Sequence, residues 1–141
     1  MPANSPRLLR AASELELSLS AASARRLGAA LRLSEAEVGT AAVADATPYD
    51  RPLAAIRVRR RESGKVTMCI DEENSALVIE GEEQYLAVLA ENIEGFFSVD
   101  SEVGDHLHIE YFDGHCYLAP SGLSLVVVPE PGPPMTRMLD R

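Results

Sequence analysis

The chain has 141 residues, of which 46% are hydrophobic, no Trp, and a formal net charge of −9. That length suits one compact domain with a mostly aliphatic core, and the hydrophobic share excludes a disordered chain. The negative charge argues against nucleic-acid or anionic-membrane binding, which require excess Lys and Arg, and is compatible with a basic protein partner.

Residues 1–12 read as a flexible N-terminal tail without the apolar stretch of a signal peptide. Leu15, Leu17 and Leu19 alternate with Glu14, Glu16 and Ser18, the pattern of a half-buried strand. Ser20 then caps a helix over about 21–32, where Ala24, Leu27 and Leu31 recur at helical spacing. Residues 34–52 are Ala-rich, end in Pro48 and Pro52, and read as a long loop with a weak helical turn near Ser34–Val38. Ile56 and Val58 face Val66, Met68 and Ile70 across the turn signal Glu62-Ser63-Gly64, which predicts a hairpin. Glu72-Glu73-Asn74 marks another turn before a strand from Leu77 to Glu80.

Gly81-Glu82-Glu83 opens the strongest helix, with Leu86, Leu89, Ile93 and Phe96 on one face and acids in the first turn, where the helix dipole favours them. Leu107, Ile109 and Tyr111 alternate with His106, His108 and Glu110, and Asp113-Gly114 predicts a hairpin into a strand over 115–119. A last strand covers 123–128. Its aliphatic run, Leu125 to Val128, is too short to span a bilayer. Residues 130–141 carry Pro131, Pro133 and Pro134 and read as a Pro-rich tail.

The expected fold is therefore α+β over 13–129: an antiparallel sheet with two helices on one face. Leu15, Leu17, Ala24, Leu27 and Leu31 align with Leu77, Ile79, Leu86, Leu89 and Ile93 at one constant offset. That suggests two βαββ halves, 13–71 and 75–129. A single ferredoxin-like or irregular α+β fold without duplication is the alternative. The second face of the sheet, with Arg57, Arg59, Lys65, His106, His108 and Glu110, is either solvated or an interaction surface.

His106, His108 and His115 fall within ten residues, and His106 and His108 share a strand face. With Glu110 this is metal-ligand spacing. A closed zinc site wants four ligands, however, and no second ligand pair occurs elsewhere, so the histidines read as surface polar residues and no metal or cofactor is expected. Cys69 and Cys116 belong to no CxxC pair and read as reduced thiols of a cytoplasmic protein. Cys116 and His115 are strand neighbours pointing to opposite faces, and no phosphate loop, GxSxG or HExxH is present, so an enzyme is not expected.

Charge is the least ordinary feature. Thirteen Asp or Glu and no Lys or Arg lie between Asp71 and Asp113, whereas Arg57, Arg59, Arg60, Arg61 and Lys65 crowd one upstream stretch. In the functional reading the acidic half meets a polyanion-binding surface, such as a nuclease cleft, through Glu82, Glu83, Asp100, Glu102, Asp105 and Glu110. In the plain reading these residues only keep the surface soluble.

The segment LVIEGEEQYLAVLAENIEGF, followed by DHLHIEYFDGHCYLAPSGLSLVVV, resembles the immunity protein family numbered thirty-two of bacterial polymorphic toxin systems. The matching positions are Gly81, Leu86, Leu89, Ala90, His106, His108, Ser124 and Leu125, within residues 77–128. The resemblance implies a cytoplasmic, antitoxin-like binder that occludes a cognate toxin, a nuclease or nucleotide-modifying one among the candidates, with no nucleic acid or membrane as partner. Two further readings come from other classes: a structural or regulatory homodimer built through its sheet, and a metal- or small-ligand-binding protein using the histidine cluster.

Overall fold

The computed structural model describes residues 7–11, 14–33, 35–39, 51–98, 106–120 and 123–129. Strand β1 (Arg7–Ala11) pairs antiparallel with β2 (Glu14–Leu19), with Leu8 opposite Leu17. Residues 7–11 therefore belong to a sheet, where the sequence suggested tail. Helix α1 (Ala21–Leu31) starts as expected at Ser20. Ser20 Oγ accepts from the Ser23 amide at 3.0 Å, and Ser23 Oγ accepts from the Ser20 amide at 2.8 Å, a reciprocal cap that satisfies two otherwise orphaned donors.

The expected loop with a helical turn after α1 is corrected. Residues 35–39 form strand β3 (Glu35–Gly39), antiparallel to β5 (Ala55–Arg61), with Ala36 opposite Val58 and Val38 opposite Ile56. Alanine's helical preference is worth only tenths of a kcal/mol per residue, about what one cross-strand pair supplies, so tertiary pairing decides the outcome. Strand β4 (Arg51–Pro52) is a two-residue edge on β1, a position where a missing amide is tolerated.

In the second half, β6 (Thr67–Asp71) and β7 (Ala76–Glu82) form the hairpin. Asp71 accepts from the Asn74 amide and side chain at 3.2 and 2.8 Å, and Ser75 turns the chain at φ 51°. Helix α2 (Glu83–Ser98) follows, then β8 (Leu107–Glu110) and β9 (Ser124–Pro129). Two expected pairings are replaced. β5 and β6 do not form a hairpin, because β7 lies between them, parallel to β5 and antiparallel to β6. Residues 115–119 do not return along β8. They make one bridge, Val66 to Leu118, and β9 takes the place beside β8.

The class is α+β with mostly antiparallel strands, as expected, but the strands divide between two sheets. One has the order β4-β1-β2-β9-β8 and the other β3-β5-β7-β6. Each contains a hairpin (β1-β2 or β6-β7), then a parallel neighbour (β9 or β5), then an antiparallel edge strand (β8 or β3). The chain thus exchanges strands: β3 and β5, which follow α1, join the sheet of β7, and β8 and β9, which follow α2, join the sheet of β2.

The two helices pack against each other at Gly28. A Cβ there would overlap the Glu94 carboxylate. Arg32 holds that carboxylate in a bidentate pair at 2.7 and 3.0 Å and also donates to the Gly28 carbonyl at 3.1 Å. Hydrogen bonding to Arg32 pulls the Glu94 carboxyl below its ordinary value. All ten apolar positions aligned by the constant offset are at most 1% exposed and join one cluster running through both sheets and both helices. Among the described residues no helix is long and apolar enough to cross a membrane.

Two expected outcomes test this packing. Leu89, fully buried on α2, should cost about 2–5 kcal/mol when changed to Ala, read from denaturant melts. Gly81 in β7 has no room for a side chain, since a Cβ would come within 2.9 Å of Val66 Cα, which is backbone and cannot rotate away. Gly81→Ala should therefore destabilise by about 1–3 kcal/mol, although Ala is ordinarily the better residue in a regular element.

Candidate interaction surface

Strand alternation gives the five-stranded sheet two unlike faces. Leu15, Leu17, Leu19, Ile109, Leu125 and Val127 point into the core and are at most 1% exposed. The intervening residues point the other way. Register sets them in rows: Glu110, Ser124 and Glu14 in one, His108, Val126 and Glu16 in the next, Val128 and Ser18 in a third. Glu14, His108 and Glu110 are exposed, whereas Ser124, Val126 and Val128 are partly covered. His106, just before β8, sets its ring edge-on to that of His108, 4.7 Å between centres.

The expected His106, His108 and Glu110 are therefore together on one exposed strand face. Sequence reading missed their neighbours Glu14, Glu16 and Ser18. The alternation of β2 was visible in the sequence, but its parallel pairing with β9, more than a hundred residues on, left no local signal.

Among the described residues, ion pairs cross the outer face of the four-stranded sheet. Arg57 lies between Glu37 at 3.4 Å and Asp71 at 3.5 Å, and Arg59 reaches Glu80 at 3.6 Å. At the start of α2, Glu83 pairs with Arg60 at 3.1 Å. Glu82 accepts from the Gly64 amide at 3.3 Å and from Gln84 at 2.9 Å. The arginine-rich stretch and the acidic half thus neutralise each other in part, and the simple charge dipole of the sequence is softened in the fold. Asp100, Glu102 and Asp105 lie outside the described residues.

His115 parts company with the other two histidines. It is 7% exposed, and its Nδ1 accepts from the amides of Tyr117 and Leu118 at 3.2 and 3.1 Å. Lys65 donates to its carbonyl at 2.7 Å, while Val66 donates to the Tyr117 carbonyl and accepts from the Ala119 amide. His115 thus organises the crossing between β8 and β9 and fastens it to the chain entering β6. Among the described residues no group of three His, Cys, Asp or Glu side chains could hold a metal ion. Burial pushes the His115 pKa down, and nearby Lys65 adds to the effect. The same burial pushes the Tyr117 phenol up, against a hydrogen bond with Asn92.

Above about pH 6.5, the ordinary histidine value, both folded and unfolded chains carry neutral His115 and stability is complete. Below it the unfolded chain takes up a proton that the folded chain resists, so stability falls until the folded pKa is passed. The loss should be at most about 1.4 kcal/mol per pH unit from this group. His115→Gln should remove this component in melts recorded across that range.

No curated protein and no solved structure matches the chain. Residues 76–129 span β7, α2, β8 and β9, less than half of the chain, and contain His106, His108 and Glu110. That segment matches the family described as Immunity protein 32, in agreement with the resemblance carried by Gly81 and the HxH strand.

Proposed function

We propose that the protein is an immunity protein that binds a cognate bacterial toxin and blocks it by occlusion, without catalysis of its own. The match of residues 76–129 to Immunity protein 32 is the observation that carries this reading. That segment supplies β8 and β9, two of the five strands of the sheet, with His106, His108 and Glu110. The fold supports a binding role for this face. A rigid sheet whose inner side is locked in the core presents its outer side at little conformational cost. The net charge of −9 favours a toxin with a basic working surface, such as a nuclease or nucleotide-modifying enzyme. The site of action is the cytoplasm. Asp100, Glu102 and Asp105, which precede the HxH strand in sequence, add to the attraction, as do Glu82 and Glu83.

Co-expression with a cognate toxin domain, sought among the neighbouring genes, should restore host growth, and the purified pair should form a stable complex. Association should slow as salt rises, because the Debye length falls from ~30 Å at 0.01 M to ~8 Å at 0.15 M. Changing Asp100, Glu102 and Asp105 together to Lys should reduce the on-rate and leave the melting temperature nearly unchanged. Absence of protection, together with a dimer in light scattering, would favour the homodimer reading instead.

A further inference from the structure

We infer that the chain is a dimer built into one polypeptide: β1-β2-α1-β3-β5 and β6-β7-α2-β8-β9 are two units of one plan that complete each other by exchanging their last two strands, and the Arg32–Glu94 pair at their contact commits each unit to the other rather than to a second copy of itself. The two units hold together in this way whether or not the outside partner is a toxin.

The placement of the ladders shows the common plan. The apolar stripes set Leu15 level with Leu77 and Leu31 level with Ile93. Under that alignment the three ladders shared by the two sheets fall on equivalent residues. The hairpin ladder covers Glu14 to Ser18 of β2 in one unit and Ala76 to Glu80 of β7 in the other, the same positions. The parallel ladder opens at Glu14 beside Ser124 and at Ala76 beside Ala55. The edge ladder then opens at Ser124 opposite Glu110 and at Ala55 opposite Gly39. A shared strand order alone would leave each register free to slide by two residues, since such a shift keeps the apolar side inward. Strand β4 and the bridge from Val66 to Leu118 lie outside the common plan.

The helix contact supplies a second, independent observation. Around a twofold axis, only residues next to the axis meet their own equivalents. Arg32 and Glu94 are equivalents, following Leu31 and Ile93, and they meet in two contacts of 2.7 and 3.0 Å. The equivalents Gly28 and Ala90 are both buried, and a Cβ on Gly28 would strike the Glu94 side chain. The crossing of α1 over α2 is therefore the centre of the exchange.

Charge at that centre selects the partner. A second copy of the first unit, set in place of the second, would bring Arg32 against Arg32. A second copy of the second unit would bring Glu94 against Glu94. Both side chains are partly shielded from water, where like charges in contact repel more than they do at an open surface. Unlike charges here favour the mixed assembly and disfavour both alternatives. The family-matched residues 76–129 are β7 to β9 of the second unit, and the first unit supplies their complement within the same chain.

A protease site inserted between Glu62 and Ser63, in the exposed turn that joins the units, allows the folded full chain to be cut there. The two fragments should stay together as one complex, dilution should unfold both together, and the melting temperature should rise with concentration as for an obligate dimer. Arg32→Glu or Glu94→Arg should weaken the cut complex about tenfold or more, and the two changes together should recover most of that loss. In the uncut wild type, the slowest amides of β2, β5, β7 and β9 should exchange through one common opening. Fragments that separate, each with its own melting transition, would overturn the built-in dimer, as would two distinct openings in the uncut chain. The selective role of Arg32 and Glu94 is overturned if the fragments sort into pairs of like units, if the single reversals leave the cut complex as tight, or if the double reversal binds no better than the single ones.

Discussion

Two parallel pairings hold this architecture together: β2 beside β9, and β5 beside β7. Each joins strands from opposite halves of the chain. A hairpin with one following helix has too little sheet to bury both its helix face and its strand face, and two- and three-stranded pieces are marginal by themselves. Exchange solves the problem for both halves together. β9 covers the open side of β2, β5 covers the open side of β7, and the ends of each half become structural parts of the other. The face carrying His106, His108 and Glu110 exists in its present form only because β2 backs β9.

The helices record the same reciprocity. Leu31 and Ile93 occupy aligned positions, and the residues that follow them, Arg32 at the end of α1 and Glu94 within α2, pair with each other across the contact. Gly28 permits the approach by leaving space for the Glu94 carboxylate. A helix-interior glycine costs about 1 kcal/mol relative to alanine. Here the close packing and the bidentate pair, partly shielded from water, offset that cost. The two buried stripes thereby meet at a fixed height, which aligns the sheets that the helices feed.

The charge pattern takes on a different meaning once folded. In sequence the arginines of 57–61 and the acids from Asp71 onward look like opposite poles. In space β5 and β7 are neighbours, so Arg57, Arg59 and Arg60 stand beside Asp71, Glu80 and Glu83. Such exposed pairs contribute little to stability individually. Their larger consequence is to neutralise part of the charge that the sequence sets apart.

Both helices and several strands were legible in the sequence by itself, because their causes are local. Alternation marked β2, β5, β6 and β8, the helical stripe and Ser20 cap placed α1, and the Leu86-Leu89-Ile93 stripe placed α2. It also marked His106, His108 and Glu110 as sharing one strand face. What only the tertiary structure decided was partnership. Turn signals at Glu62-Ser63-Gly64 and Asp113-Gly114 correctly reverse the chain, yet a turn does not dictate that the strands on its two sides pair. β7 displaced β6 from β5, and β9 displaced residues 115–119 from β8. β3 lay in a stretch read as a loop, and it became a strand because β5 had an open edge to receive it. His115, legible only as a third member of a polar cluster, became a buried acceptor because two backbone amides at a chain crossing required one. Local periodicity reports which side of a residue is apolar. Which surface covers that side depends on contacts distant in sequence, and these arise only when the whole core closes.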